Sequence, residues 1–310
     1  MNILVLGATG TAGRSAVPVF VSAGHTVRTH VRSDAGAAAM AAMGAEPVRA
    51  DLEDDQRLRR IVEGSDAVVD LRVAIPSTFG AALPWAWREY VRLRDRETRR
   101  LVDAALHAGT PRIVHDTVSM VYADGGDAEL DEDSPVDAPG ALAANLAAER
   151  HLARFTESGG TGVALRFGTF YGPHDEFSRD LMRYARRGWA LLFGRPEAWT
   201  SAIHTDDLGP ALLVALTAPA GVYNVVDDEP LRRRDLVAIL ANAAGVERVR
   251  MLPTWMSVMA GAPARALARS QRVRARRFAA LGWRPSVPSR RQGWPEAFRA
   301  ALDEPRATGR

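Results

Sequence analysis

The sequence predicts an α/β protein built on a doubly wound parallel sheet, and three observations carry that reading. Short, continuous apolar runs alternate with helix-compatible stretches from the N-terminus onward. The first of these runs meets a glycine-rich turn that opens directly into a helix. The 310 residues are 47% hydrophobic and 25% charged with a formal net charge of +3, enough apolar material for a full core and too little charge excess for disorder. At roughly 150 residues per domain, this length suits one large domain or two intimately joined ones.

The elements follow in order. Ile3-Leu4-Val5-Leu6 is apolar throughout, as a strand covered on both faces of a parallel sheet should be. Gly7 ends it, and Gly7-Ala8-Thr9-Gly10-Thr11-Ala12-Gly13 leads into a helix with apolar Val17, Val19, Phe20 and Val21. A phosphate needs backbone N–H groups at a helix start and no side chain in its way, so glycines belong at such a turn. Gly24-His25 closes the helix. Thr26 to Val31 is the second expected strand, Pro47 to Ala50 the third and Ala67 to Leu71 the fourth. In this βαβ setting the glycine pattern predicts a dinucleotide site rather than a mere tight turn. Arg32 sits just past the second strand, where an acid would bind the ribose hydroxyl of NAD. A guanidinium there suits a 2′-phosphate, with Arg14 assisting and Asp34 arguing the other way. NADPH is the expected cofactor, with NADH left open.

Composition removes whole classes of chemistry. There is no Cys and no Lys, so all 40 basic residues are Arg. That excludes disulfides, catalytic thiols, thiolate zinc sites and Schiff bases. The pI of 9.7 overstates basicity, because few groups titrate between neutrality and that pH. The seven His residues show no metal-ligand spacing, so no metal is expected. Arg265, Arg269, Arg272, Arg274, Arg276 and Arg277 have the spacing of a solvated helix, with no aromatic residues interleaved for base stacking; no nucleic-acid partner is expected. The chain runs from Met1-Asn2 straight into its first apolar run and contains no long apolar stretch. A soluble, cytoplasmic protein without membrane contact is expected, and nothing sets an oligomeric state. Ala35 to Ala45 reads as a plain helix.

Further landmarks recur along the chain. They are Ala50-Asp51-Leu52 after the third strand, Ser65-Asp66-Ala67-Val68-Val69 at the fourth, and Pro111-Arg112-Ile113-Val114 at a fifth. Downstream come Leu165-Arg166-Phe167-Gly168-Thr169-Phe170-Tyr171-Gly172-Pro173, His204-Thr205-Asp206-Asp207, Gly221-Val222-Tyr223-Asn224-Val225 and Leu281-Gly282-Trp283-Arg284-Pro285. With the glycine turn, this ordered set resembles the extended and atypical short-chain dehydrogenase/reductase family, the NAD-dependent epimerase/dehydratase group. The resemblance implies a Rossmann domain over residues 1–172, to which 197–228 return, and a smaller substrate lobe from 173–196 and 229–310. It also implies a cofactor lying against Gly7, Thr9, Gly10, Thr11, Ala12, Gly13, Arg14, Arg32, Asp51, Leu52, Leu71, Asn145, Phe167 and Gly168.

The family's catalytic pattern is broken. Its Tyr-x-x-x-Lys pair falls on Ala141 and Asn145, and no register shift restores it, since the chain lacks Lys and the nearest tyrosines in sequence are Tyr122 and Tyr171. Aligning Val121-Tyr122-Ala123 with the family's Val-Tyr-Gly puts Val118 at the catalytic hydroxyl, flanked by Thr117 and Ser119. Strand alternation points those two to one face, opposite Val118, so a local bulge is needed to turn either inward. Thr117, Ser119 and Asn145 remain the candidates for hydrogen-bonding the substrate. His115 and Asp116, adjacent on the strand, are expected to divide, one buried and one at the rim. Phe79, Trp85, Trp87 and Tyr90, in and after a Pro-flanked stretch, suit the wall of an aromatic substrate, with Tyr122 added to them; core or interface packing explains the four equally well.

The resemblance, with an Arg- and Ala-rich composition that suggests a GC-rich genome, implies an NADPH-dependent ketoreductase of antibiotic biosynthesis. Its small-molecule substrate would be an aromatic polyketide ketone of angucyclinone type, supplying its own proton. The alternatives are a non-catalytic NADP(H)-binding regulator or scaffold and a sugar-nucleotide epimerase/dehydratase-like enzyme.

Overall fold

The computed structural model describes residues 1–76, 83–173, 175–259 and 261–303. Seven strands form the central sheet: β1 (Asn2–Leu6), β2 (Thr26–His30), β3 (Glu46–Val48), β4 (Ala67–Asp70), β5 (Arg112–Val118), β6 (Thr161–Phe167) and β7 (Gly221–Val225). All pair in parallel in the order β7-β6-β5-β4-β1-β2-β3. The order reverses between β1 and β4, which opens a crevice beyond their C-terminal ends. The first four expected strands lie within a residue or two of the observed ones. The fifth carries His115, Asp116 and Thr117 as expected and ends at Val118, and each of these polar side chains finds a buried partner.

The helices are α1 (Thr11–Ser22), α2 (Asp34–Ala42), α3 (Asp55–Val62), α4 (Arg88–Arg92), α5 (Thr98–Ala108), α6 (Ala143–Glu157), α7 (Glu176–Ala185), α8 (Leu208–Ala215), α9 (Arg233–Ala244), α10 (Thr254–Met259), α11 (Gly261–Leu267), α12 (Arg276–Ala280) and α13 (Arg290–Asp303). Alternation along the strands sorts them into two layers. Ile3, Val5 and Val69 face α1 and α8, whereas Leu4, Leu6 and Val68 face α3 and α5. A second core gathers Leu181, Leu236, Leu240, Trp294 and Phe298 from α7, α9 and α13. No helix among the described residues is long and apolar enough to cross a membrane.

The arginine-rich C-terminal stretch is not the solvated helix its spacing suggested. It runs from α11 through a short strand, Arg272–Val273, into α12. Its guanidiniums meet an acidic segment 132 to 147 residues earlier: Arg269 pairs with Asp137, Arg274 and Arg276 with Glu129, and Arg277 with Asp133. Helical periodicity was the wrong template here, since long-range charge pairing placed these residues.

Between the two cores sits Asp227, 1% exposed, with neither carboxylate oxygen hydrogen-bonded among the described residues. Burial, reinforced by Glu229, Asp228 and Asp207 and opposed by Arg290, pushes its carboxyl from 3.8 up to about 8. The folded state therefore holds a proton that the unfolded chain gives up, and stability present below pH 3.8 is lost as pH rises toward 8. Asp227→Asn should match the parent near pH 3.8 and gain stability over it as pH rises, levelling off above 8, in denaturant titrations across that range. A difference between the two proteins that does not change with pH would refute the assignment.

Candidate functional site

The crevice begins at the turn between β1 and α1. Gly7 has φ +80°, and a Cβ there would lie 2.6 Å from the carbonyl carbon of Leu71. A Cβ on Gly13 would lie 2.4 Å from Cα of Ala8. Both glycines let the helix start press against the ends of β1 and β4. Gly10 differs: a Cβ there would meet only the Gly7 carbonyl oxygen, at 3.4 Å. It is the N-cap of α1, extended in backbone, with no side chain capping the helix. The N–H groups of the first turn, held at the positive end of a 12-residue helix, thus face open space of the kind a pyrophosphate fills.

The adenosine side continues past β2. Ser33 caps α2 by accepting from the Gly36 N–H. Arg32 is exposed, and its guanidinium makes no hydrogen bond or ion pair among the described residues. Asp34, the residue that argued against a 2′-phosphate, is taken by Arg49. Arg14 donates through Nε to the Thr9 carbonyl (2.9 Å), and Asp51 accepts from the Glu53 N–H (2.9 Å). Leu52 is partly buried, and Leu71 is buried with its N–H on the Leu6 carbonyl.

At the ends of β4 and β5 lies a dense polar cluster. Arg94, 1% exposed in a π-helical turn (Leu93–Glu97) between α4 and α5, binds Asp116 through two bonds of 2.7 and 2.9 Å. His115 contacts the Asp70 carbonyl oxygen through Nδ1 (3.0 Å) and Thr98 through Nε2 (3.3 Å). Burial, with Arg94 and Arg72 adding to it, lowers the His115 pKa, so the ring is neutral near pH 7. Burial alone would raise the Asp70 carboxyl, but two bonds from Arg72 bring it to about 2. The expected division of His115 and Asp116 into one buried and one rim residue does not occur. Both are buried, because a helical segment packs a polar partner against each.

Ala141 falls in a 3₁₀ turn, Gly140–Leu142, ahead of α6. Asn145, wholly buried, donates through Nδ2 to the Leu142 carbonyl (3.0 Å) and to the phenol oxygen of Tyr90 (2.8 Å). Tyr90 is 2% exposed, and its phenol pKa is raised by burial. The tyrosine nearest to Asn145 in space is thus 55 residues away, neither of the two that are near in sequence. Nothing local in the sequence signals that pairing.

Thr117 and Ser119 part company. Thr117 stays in the ladder with its hydroxyl on the Leu165 carbonyl (3.3 Å), next to the Glu149–Arg166 ion pair. The strand ends at Val118 and a 3₁₀ turn begins, so alternation no longer applies to Ser119. Ser119 lines a small recess of about 30 Å³ with Met120, Thr169, Thr200, Gln271 and Arg233. Tyr122 is wholly buried beneath it, donating to Asn224 (2.7 Å), with the Arg166 guanidinium 4.9 Å from its ring centre. Trp85 is exposed, Trp87 packs edge-on against Tyr90 at 5.3 Å, and Phe79 lies outside the described residues. Phe167 meets Phe170 at 5.5 Å, and a Cβ on Gly168 would strike the Ala202 backbone at 2.9 Å. Arg233, which no motif singled out, belongs to a run Arg232-Arg233-Arg234 whose only signal in the sequence is charge.

Since Gly10 has room for a Cβ yet lies over the open helix start, Gly10→Val should fold normally and lose dinucleotide binding. Calorimetry on the purified variant checks this, and retained affinity would reduce the glycine turn to a structural feature.

Residues 3–226 match the family described as NAD dependent epimerase/dehydratase family. A 3-diazoavenalumate denitrifying reductase of Streptomyces sp is 34% identical, over 94% of this chain and 99% of that protein. A 4-hydroxy-2-methyl-3-oxo-4-farnesyl-3,4-dihydroquinoline-1-oxide ketoreductase of Stigmatella aurantiaca is 27% identical, over 80% and 74%. Among solved structures, the Thermus thermophilus UDP-glucose 4-epimerase complex with NAD superposes with a TM-score of 0.78 at 21% identity, over 97% of this chain and 100% of that one. A human epimerase family protein with NADPH gives 0.75 at 22%, over 98% and 100%. A glycine cradle at the switch point of a parallel sheet, a family match across most of the chain and a relative similar end to end agree: this chain belongs to the NAD dependent epimerase/dehydratase family, the extended short-chain dehydrogenase/reductases, as an NAD(P)-dependent oxidoreductase.

Proposed function

We propose that the protein is an NADPH-dependent ketoreductase acting on an aromatic polyketide ketone, and that the substrate, rather than a side chain, supplies the proton. The angucyclinone of simocyclinone biosynthesis is the specific candidate by resemblance. Residues 1–172 with 197–228 would hold the cofactor, and 173–196 with 229–310 the acceptor. The observation that carries the reading is the pairing at the family's catalytic helix. Ala141 has no acid to offer, and Asn145 is hydrogen-bonded to Tyr90 and Leu142 inside the core. His115 is buried and neutral, so it does not take over the role.

Bound NADPH supplies the hydride. The chain's part is to hold the dinucleotide on the α1 start and to enclose the acceptor beside Ser119. Hydride addition to a ketone leaves an alkoxide, and a positioned acid typically contributes about 10² to 10⁴ in rate. A phenol ortho to the ketone is already hydrogen-bonded to the oxygen that becomes negative, so it offsets the lost tyrosine. A regulator or scaffold has less use for a recess lined by unpaired hydroxyls and a buried guanidinium, which disfavours that alternative.

The relative at 34% identity favours a second reading, hydride delivery to an aryl diazonium. In that step the ring carbon gains hydride and the C–N bond electrons leave with N₂. No proton is required, so the loss of Tyr and Lys needs no substitute.

Two outcomes are expected. Arg32 has no hydrogen bond or ion pair among the described residues, and its acidic neighbour is paired with Arg49. Arg32→Ala should therefore weaken NADPH about tenfold or more, the loss of one charge-assisted bond to phosphate, and leave NADH unchanged in fluorescence titrations. Equal weakening of both cofactors would reject the 2′-phosphate assignment. For the proton, Thr117→Val, Ser119→Ala and Asn145→Ala should each keep NADPH consumption within about tenfold of the parent, whereas methylating the substrate hydroxyl should nearly stop reduction at unchanged affinity. Normal reduction of the methyl ether, with turnover abolished in one folded, NADPH-binding variant, would place the acid on the protein. Release of N₂ from an aryl diazonium, with no ketone reduced, would select the second reading.

A further inference from the structure

We infer that Arg233 is the seat of a substrate carboxylate, so that the acceptor handled by this protein is an organic acid whose anionic end occupies the cavity beside Ser119. Its role as a substrate site rests on the reductase reading above; the anion site itself stands on geometry.

Arg233 opens α9 and is 4% exposed. Its Nη2 donates to the carbonyl oxygens of Leu267 (2.6 Å) and Arg269 (2.8 Å), and Nη1 has no hydrogen-bond partner among the described residues. The deeply buried guanidiniums of Arg94 and Arg166 are neutralised through two bonds each, by Asp116 and Glu149, and Arg290, which forms no ion pair among the described residues, faces the buried Asp227. Arg233 forms no ion pair among the described residues. The charged groups that face it are Arg290 and Arg195, of its own sign, and Asp124, which opposes them. Burial and these two guanidiniums pull its pKa down to about 10, so it remains a cation at neutral pH. As the first residue of a 12-residue helix it also sits in the positive end of the helix dipole.

Apart from Asp124 the charged neighbours are cations and favour an anion, and a buried cation lacking one is strongly unfavourable. The cavity supplies the rest of a receptor. The hydroxyls of Ser119, Thr169 and Thr200 line it without hydrogen bonds to the described residues, and Met120 and Leu267 give it an apolar side. Nη1 has its N–H groups to offer a carboxylate oxygen, and the hydroxyls complete the remaining lone pairs. A phosphate would bring a second charge and a bulkier head to a recess of about 30 Å³, room for about two water-sized groups, with one guanidinium nitrogen unpartnered among the described residues.

Binding of 4-acetyl-3-hydroxybenzoate and of its methyl ester to NADP⁺-saturated protein, measured by calorimetry, tests the assignment. The acid should bind about tenfold or more tightly than the ester. Arg233→Gln should reduce the acid to the level of the ester while leaving the ester and NADP⁺ unchanged, and Arg233→Lys should retain part of the preference. Equal binding of acid and ester by the parent protein overturns the assignment, as does failure of the acid to bind or an equal loss for both ligands in Arg233→Gln. The parent acid-to-ester ratio needs no variant, so the test survives a variant that does not fold. Turnover with NADPH is scored separately. An acid held through Arg233 but never reduced removes the reductase reading and keeps the anion site; reduction of ester and acid alike, with equal affinity, does the reverse.

Discussion

The close approach of α1 to the ends of β1 and β4 is the contact on which the rest of the molecule depends. It exists because Gly7 and Gly13 carry no Cβ; an added carbon at either would come within 2.6 Å of backbone. Pressed that near, the helix directs its first N–H groups into the crevice where the sheet order reverses. The same contact seats the buried face of α1, through Ala16, Val17 and Phe20, in the core shared with α8. Cofactor cradle and core packing are two consequences of one steric allowance.

Around that contact, electrostatics is handled by a single kind of cation. With no lysine, each buried positive charge is a guanidinium, which cannot escape desolvation by giving up its proton. The protein answers with forked pairs: Arg72 on Asp70, Arg94 on Asp116 and Arg166 on Glu149. At the surface, Glu129 gathers Arg272, Arg274 and Arg276, tying the chain near α12 to a segment far earlier in sequence. Against this habit the buried Arg233 and Arg290 form no ion pair among the described residues, and Nη1 of Arg233 has no hydrogen-bond partner there either.

The catalytic helix shows a family site rebuilt for another purpose. Where a lysine amine and a tyrosine phenol would lie one turn apart, Asn145 instead reaches across to Tyr90 and fastens α6 to α4. The amide–phenol bond is buried and neutral, so it contributes rigidity to the wall of the crevice without offering a titrating group.

Much of this was legible in the sequence. Periodicity and glycine placement determined the parallel sheet, its first four strands and the glycine turn at the switch point, because these depend on local sterics and on burial on both faces of a strand. The absence of Tyr, Lys and Cys from the catalytic positions was equally plain. Tertiary structure decided the rest. The pairing of Tyr90 with Asn145, the burial of both His115 and Asp116, and the divergence of Thr117 from Ser119 depend on which segments meet across 17 to 55 residues of chain. The C-terminal arginines were misjudged as a helix for the same reason: their partners lie 132 to 147 residues upstream. Spacing along a chain reports the period of a local element, but a polar side chain is placed by whichever distant group satisfies it, and only the folded arrangement decides which group that is.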